Sequence, residues 1–117
     1  MTHQRSITEG SLRFWQRTDQ AHWHCVAGMS MWPFFLPKDQ VLVEADHPHL
    51  LAEQYQLGDV VLVQINERLI VHRITQLGEN GMVTTWGDFN PSPDPIMSAR
   101  QVVGRVVRIK RNGREIS

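Results

Sequence analysis

Short apolar runs and alternating apolar and polar positions, separated by turn-forming residues, occupy most of the chain after residue 20. This pattern is typical of β-strands, and the runs are rich in Val, Ile and Leu. It predicts six strands, at residues 22–26, 40–44, 60–65, 69–77, 82–86 and 102–109. Before them, Ser6-Ile7-Thr8-Glu9 has the form of a capping box, which predicts a short helix to about residue 16.

The residues between these runs predict how the strands are connected. Asn66-Glu67-Arg68 is the length of a hairpin loop, and Asn80-Gly81 favours a type I′ turn. The segment 90–95 contains three prolines and is predicted to be a loop, because proline cannot donate to a strand ladder. The pattern therefore predicts a mainly β fold: a small, strongly bent antiparallel sheet or partial barrel with a short N-terminal helix.

Length and charge limit the domain organisation and the partners. A chain of 117 residues can bury one core, so we expect a single domain over 1–117, with a helical extension at 1–20 and a core at 26–113. Twelve basic residues balance twelve acidic residues, which argues against a nucleic-acid partner. Five basic residues crowd the C-terminus, where we interpret them as the solvated face and frayed end of the last strand. They are Arg105, Arg108, Lys110, Arg111 and Arg114.

Targeting signals are not evident in the sequence. No run approaches the ~18–20 apolar residues that cross a bilayer, and the polar N-terminus leads into no apolar signal-peptide core. We therefore expect a soluble protein with no integral membrane anchor, in the cytoplasm by default, while peripheral or partner-mediated membrane contact stays open. Cys25 is the single cysteine, so no internal disulfide can form. The oligomeric state is also left open.

Three polar residues stand out as candidate chemistry. Ser30, His72 and Asp94 supply a hydroxyl, an imidazole and a carboxylate, which are the parts of a serine hydrolase. A hydroxyl is a poor nucleophile unless a base takes its proton, and the base works best when a carboxylate holds its tautomer. Ile70, His72 and Ile74 share one face of the predicted strand, so the imidazole is expected to be half-buried.

The surroundings of these residues resemble type I signal peptidases and the wider group that includes the LexA-like self-cleaving peptidases. Five short motifs occur in the family order, over about three quarters of the chain. They are Gly28-x-Ser30-Met31-x-Pro33, Gly58-Asp59-Val60-Val61, Val71-His72-Arg73-Ile74, Gly87-Asp88-x-Asn90 and Val103-Gly104-Arg105-Val106. The resemblance implies the same bent sheet and a catalytic role for Ser30.

The resemblance also implies the roles of the other site residues. Many bacterial relatives have lysine where this chain has His72, which is similar to the archaeal and endoplasmic-reticulum branch and implies an orienting carboxylate. Asp94, six positions after Asp88, matches the spacing of that branch. Asp88 is the alternative partner of His72, or instead supports the loop or the Ser30 neighbourhood.

The segment around the nucleophile suggests how substrate is bound. The backbone N–H of Ser30 is the expected oxyanion donor, whereas Gly28 occupies the position where many relatives add a hydroxyl donor. Met31, Trp32 and Phe34 are predicted to form a substrate cleft or a lipid-touching lip, with core packing as the alternative.

The remaining histidines raise the question of a metal site. His22, His24 and Cys25 cluster, and His47 and His49 flank a proline, but neither group has zinc-finger spacing with partners elsewhere. We expect no metal and no cofactor.

The sequence thus predicts a soluble serine endopeptidase similar to signal peptidase, acting on a peptide or protein substrate. A non-catalytic peptide-binding module that keeps the peptidase scaffold is the alternative. Self-cleavage of the LexA kind is disfavoured, because a DNA-binding domain and an upstream scissile bond do not fit within the 29 residues before Ser30.

Overall fold

The computed structural model describes residues 21–45 and 55–116. Within them the fold is mainly β, a strongly curled antiparallel half-barrel with no α-helix, which confirms the predicted fold class. The predicted helix near residues 6–16 lies outside the described residues. The strands are β1 (Ala21–Cys25), β2 (Gln40–Ala45), β3 (Val60–Ile65), β4 (Arg68–Leu77), β5 (Met82–Trp86), β6 (Met97–Ser98), β7 (Val102–Arg111) and β8 (Arg114–Ile116).

One sheet contains all eight strands of the described ranges. Its order is β1-β2-β7-β3-β4-β5-β6, with β8 paired to β7, and every pairing is antiparallel. The long strand β7 lies between β2 and β3 and so joins the N-terminal strands to the β3–β4–β5 meander. The six predicted strands are present with ends shifted by at most two residues, whereas β6 and β8 were not predicted.

Three hairpin connections each contain two consecutive residues with positive φ. Asn66 and Glu67 (φ 51° and 66°) connect β3 to β4, so Arg68 already belongs to the strand rather than to the loop. Asn80-Gly81 and Asn112-Gly113 have the same pair of positive φ angles, as the type I′ turn requires. The basic C-terminus is therefore not a frayed end, as the sequence suggested, because it turns at Asn112-Gly113 and returns as β8.

The sheet buries apolar residues on both faces. Alternation along β3 shows the division, because Leu62 packs on one face while Val61 and Val63 pack on the other. The first cluster is Val26, Met31, Phe35, Val41, Val43, Leu62, Val71 and Val103. The second is Tyr55, Val61, Val63, Ile74, Val83, Met97, Ala99 and Val102. The central strands β3 and β4 are consequently rigid supports for the residues they carry.

An ion pair between buried Asp39 and partly exposed Arg111 links the end of β7 to the segment that follows Ser30. Asp39 is 2% exposed, and its two carboxylate oxygens accept hydrogen bonds from Arg111 Nε and Nη2 at 3.0 and 2.8 Å. The Leu36 N–H donates to the same carboxylate at 2.8 Å, and Arg111 also donates to the Phe34 carbonyl. Burial alone raises the pKa of Asp39, but these hydrogen bonds and the guanidinium charge outweigh it and lower the pKa below its ordinary value.

Replacing Arg111 with Met is expected to destabilise the fold at neutral pH, because the buried carboxylate loses its paired charge. Because the paired Asp39 has a lowered pKa, its contribution to stability is present above the ordinary carboxyl value of 3.8 and is lost as pH falls through the lowered pKa. The difference between the variant and the wild type should therefore shrink in acid. Urea unfolding at several pH values measures both effects.

Arg114→Met is the matched control, since Arg114 is exposed in β8 and forms no ion pair with a described residue. Equal stability of Arg111→Met and Arg114→Met at neutral pH would contradict the role given to the Asp39–Arg111 pair.

Candidate active site

Three separate elements bring Ser30, His72 and Asp94 together. Ser30 lies in the turn after β1, His72 in the middle of β4, and Asp94 in the loop after β5. His72 Nε2 is 3.0 Å from Ser30 Oγ, and His72 Nδ1 is 2.6 Å from Asp94 Oδ2. These contacts form one continuous hydrogen-bonded chain from hydroxyl to imidazole to carboxylate, with the geometry of a serine-hydrolase triad.

His72 is held rigidly by the strand that carries it. Its backbone lies opposite Val61 of the neighbouring strand β3. The side chain is 3% exposed, so it is more deeply buried than the half-buried state that the sequence predicted. Neighbouring strands fix its backbone, and its two ring nitrogens each contact one polar partner. The hydrogen bond to Asp94 makes Nδ1 the protonated nitrogen, which leaves Nε2 free to accept the proton of Ser30.

Asp94 is anchored to β5 by two hydrogen bonds with Thr85. The Asp94 backbone N–H donates to the Thr85 carbonyl at 2.9 Å. The Thr85 hydroxyl donates to Asp94 Oδ2 at 2.6 Å, which is the same oxygen that accepts from His72. The carboxylate is thus fixed before any substrate arrives.

Asp88 does not reach His72, although the sequence left it open as the alternative partner. Both of its oxygens accept from Arg73, Oδ1 from Nε at 2.9 Å and Oδ2 from Nη2 at 2.8 Å. These hydrogen bonds raise the pKa of the Arg73 guanidinium, which also donates to the Gly58 carbonyl and lies over the Phe34 ring. Asp88 therefore supports the loop beside the nucleophile, as the second sequence interpretation expected.

The loop that contains Asp88 is tied directly to the turn of Ser30. The Phe89 N–H donates to the Ser30 carbonyl at 2.7 Å, and the Asp88 N–H donates to Met31 Sδ at 3.3 Å. One contact holds the Ser30 carbonyl, and the other holds the side chain of the residue that follows it. They explain why the nucleophile stays within hydrogen-bond distance of an imidazole on a distant strand.

Gly87 sits against the reacting groups so closely that only glycine fits. A Cβ at this position would lie 2.8 Å from each of three atoms: His72 Nε2, the Ser30 carbonyl oxygen and Asn90 Nδ2. Contacts this short force a neighbour to move. The glycine of the Gly87-Asp88-x-Asn90 motif thus has a steric role that sequence spacing alone did not reveal.

The residues flanking Ser30 divide between core and surface. Met31 is 1% exposed and packs in the first core cluster, so its predicted contact with substrate is corrected: its side chain belongs to the core. Trp32 and Phe34 are exposed, and the Trp32 ring makes an edge contact with Phe89. These exposed aromatic residues keep the prediction of a binding surface beside Ser30 open.

A cleft of about 330 Å³ opens beside the hydrogen-bonded chain. Residues 26–30 line one side and residues 68–72 line the other, and Asn90 and Asp94 complete it. His24 also lines the cleft, and burial lowers the pKa of its imidazole, which favours the neutral ring at pH 7. Both Ser30 and His72 line this space, so a molecule bound in the cleft meets the Ser30 hydroxyl.

Gly28 lies in the cleft lining with a φ of 107°. A Cβ there would meet nothing within 4 Å, so the backbone conformation and not a lack of space favours glycine. A side chain with a hydroxyl would be strained at this φ. This conformation agrees with glycine at position 28, where the resemblance to signal peptidases led us to expect a hydroxyl donor.

Two polar residues of the site were not assigned a role from the sequence. Thr85 gave no signal, because a threonine in a strand looks like any β-branched strand residue. Asn90 belongs to a motif, but only the fold shows its side chain lining the cleft near His72. Its side-chain amide forms no hydrogen bond with a described residue.

Neither a metal site nor a membrane-spanning helix is found in the part of the chain that the structure describes. No group of three or more His, Cys, Asp or Glu side chains is arranged to hold a metal ion there. No helix in the same residues is long and apolar enough to cross a bilayer.

Replacing Gly87 with Ala is expected to separate Ser30 from His72, because the new methyl group overlaps both neighbours. The rate at which a fluorophosphonate phosphonylates Ser30 should fall at least 10-fold, since a misplaced nucleophile loses its aligned base. Gly78→Ala is the matched control, as a Cβ there would be an ordinary 3.5 Å from the Met82 carbonyl oxygen. An unchanged rate in Gly87→Ala would show that the site does not depend on this close packing.

Comparison with known proteins did not identify a family for this chain. No model of a known protein family matches the chain, and no curated protein matches it. The resemblance to type I signal peptidases therefore stays a prediction from the five motifs.

Proposed function

We propose that this protein is a serine hydrolase that cleaves peptide bonds, with Ser30 as nucleophile, His72 as general base and Asp94 as the orienting carboxylate. The observation that carries the proposal is the continuous contact from Ser30 Oγ through both nitrogens of His72 to Asp94, opening into a cleft. Ser, His and Asp are common residues, but this sequence of contacts is not expected from chance packing.

The proposed reaction follows from the atoms in contact. Ser30 Oγ attacks the substrate carbonyl carbon while His72 Nε2 takes the hydroxyl proton. The imidazolium that forms is stabilised by Asp94 and then protonates the leaving amine as the peptide C–N bond breaks. A water molecule next attacks the acyl-enzyme, again with His72 as base, and releases the acid product and free Ser30.

Two donors near Ser30 are candidates for stabilising the tetrahedral oxyanion. The Ser30 backbone N–H is the first, and no described group accepts from it. The second is the side-chain amide of Asn90, which lines the cleft. Asn90 Nδ2 and His72 Nε2 both lie next to Gly87, each 2.8 Å from where a Cβ on that glycine would be. We propose that Asn90 replaces the hydroxyl donor that position 28 lacks.

The shape of the cleft supports a peptide substrate. β5 pairs with β4 only from Arg73 onward, so among the described strands none lies beside residues 68–72 on that side. Those residues form one side of the cleft. An extended peptide laid along this open edge gains backbone hydrogen bonds while its scissile carbonyl lies near Ser30.

The same open edge favours the second candidate function, a peptide-binding module without catalysis. Binding by strand addition needs an unpaired edge and a cleft but no reactive serine. The contact between Ser30 and His72 argues for hydrolysis, since a binding module has no need of it. Substitution of Ser30 separates the two functions.

Treatment with a biotinylated fluorophosphonate is expected to label Ser30, because the activated Oγ displaces fluoride from phosphorus. Intact-mass and peptide mass spectrometry would locate the adduct. Ser30→Ala should abolish labelling and leave the thermal unfolding midpoint nearly unchanged, and His72→Ala should slow labelling on the order of 1000-fold or more. Ser92→Ala, at an exposed loop serine, is the control that keeps wild-type labelling.

A library of proteome-derived peptides, incubated with the wild type or with Ser30→Ala, then tests the substrate class. New peptide ends that appear only with the wild type support the endopeptidase. Retained peptides bound equally by both proteins, with no Ser30 adduct and no new ends, support the binding module instead.

Replacing Asn90 with Ala is expected to slow fluorophosphonate labelling of Ser30 about 100-fold, because the phosphonyl oxygen loses one of its two donors. The noncovalent affinity for the probe should change little, so the loss should appear in the limiting rate rather than in the half-saturating concentration. A wild-type limiting rate in Asn90→Ala would remove Asn90 from the oxyanion site.

A further inference from the structure

We infer that Thr85 is a positioning residue that acts through Asp94, as a fourth member of the hydrogen-bonded chain from Ser30. This inference rests on the proposed function for its effect on rate. Its structural part, the hold of Thr85 on the Asp94–His72 contact, can be measured without any turnover.

The contacts of Thr85 place it directly behind the carboxylate. Its side chain is 0% exposed, and Oγ1 donates to Asp94 Oδ2 at 2.6 Å. The same oxygen accepts from His72 Nδ1 at 2.6 Å, so a hydroxyl and an imidazole converge on a single carboxylate atom. Thr85 also lies opposite Ile74 of β4, two residues from His72.

The convergence matters because a carboxylate can rotate about its last bond. A carboxylate held by one partner can turn that oxygen away from the imidazole, whereas two donors at fixed angles hold it in place. Thr85 is well suited to this task, since its backbone lies opposite Ile74 of β4 and its carbonyl also accepts the Asp94 N–H. The general base is thereby kept in one tautomer and one orientation.

A purely structural role for the Thr85 hydroxyl is the competing explanation. A buried hydroxyl needs a hydrogen-bond partner, and Asp94 would satisfy it whether or not His72 were present. The two explanations differ in their effect on the His72 contact. Only a positioning role links loss of the Thr85 hydroxyl to a change at the ring proton of His72 and at Ser30.

The test compares Thr85→Val with Thr84→Val. Valine keeps the shape of threonine and removes the donor, and Thr84 is a matched control because it is buried next along β5 but its hydroxyl contacts no described partner. Thr85→Val is expected to slow fluorophosphonate labelling of Ser30 about 10- to 100-fold, the rate equivalent of one hydrogen bond to a charged group. Thr84→Val should label at the wild-type rate.

A second pair guards against misfolding of the valine variant. Thr85→Ser and Thr85→Ala both lose the methyl group, but only Ser keeps the hydroxyl, so Ser should regain most of the rate that Ala loses. Thermal unfolding of each variant reports separately on stability. Equal rates for Thr85→Ser and Thr85→Ala would overturn the inference.

Proton NMR of protein with ¹⁵N-labelled histidine gives the readout that is independent of activity. The Nδ1 proton of His72, bonded to Asp94, should give a downfield signal that is weakened or lost in Thr85→Val and kept in Thr84→Val. If wild-type Ser30 reacts with no probe, this signal still decides the matter. Its loss in Thr85→Val alone then supports the positioning role while the hydrolase proposal fails, and an unchanged signal overturns the positioning role.

Discussion

A buried imidazole needs a hydrogen-bond partner on each ring nitrogen, and this requirement at His72 organises the rest of the site. The residue lies within β4, where β3 on one side fixes its backbone and its side chain is 3% exposed. Ser30 meets one nitrogen and Asp94 meets the other, from segments that are far apart along the chain. Both segments are loops or turns, so each must be fastened to the sheet by other contacts.

The fastening contacts form two groups around the nucleophile turn. On one side, the loop after β5 holds the Ser30 carbonyl through the Phe89 N–H, and the Asp88–Arg73 pair ties that loop to β4. On the other side, the Asp39–Arg111 pair attaches the end of the turn segment to β7. These contacts hold the Ser30 hydroxyl at a fixed distance from the imidazole of His72 on another strand. Preorganisation of this kind lowers the reorganisation required during reaction.

The sequence was sufficient for most of the sheet but not for its smallest pieces. Long apolar runs such as 60–65 predicted strands with accurate ends, because burial on both faces leaves a continuous signal. β6 has two residues and carries no periodicity. β8 was missed for another reason: Asn112-Gly113 gives the same turn signal as Asn80-Gly81, but the basic residues around it were interpreted as a solvated end.

Within the site, the sequence could identify the residue types and their order along the chain, but not where each side chain points or which partner it contacts. The contact of Asp94 rather than Asp88 with His72 followed from spacing shared with signal peptidases, and the geometry agrees with it. The burial of Met31 could not be read from an apolar run, since alternate residues of an irregular turn follow no fixed period. The contact between Thr85 and Asp94 could not be predicted, because it joins β5 to a separate loop and no local sequence pattern encodes it.

Backbone conformation explains why position 28 lacks the hydroxyl donor that the resemblance to signal peptidases implied, and why we propose Asn90 in its place. At a φ of 107°, Gly28 gives the turn before Ser30 a conformation that any residue with a side chain would strain, and Ser30 Oγ lies 3.0 Å from His72 Nε2. The turn that places Ser30 therefore has no hydroxyl side chain at position 28. Asn90 lies across the cleft, where the loop that fixes the Ser30 carbonyl also presents a free amide. Under the proposed function, a single loop both holds Ser30 and supplies the donor that Gly28 cannot.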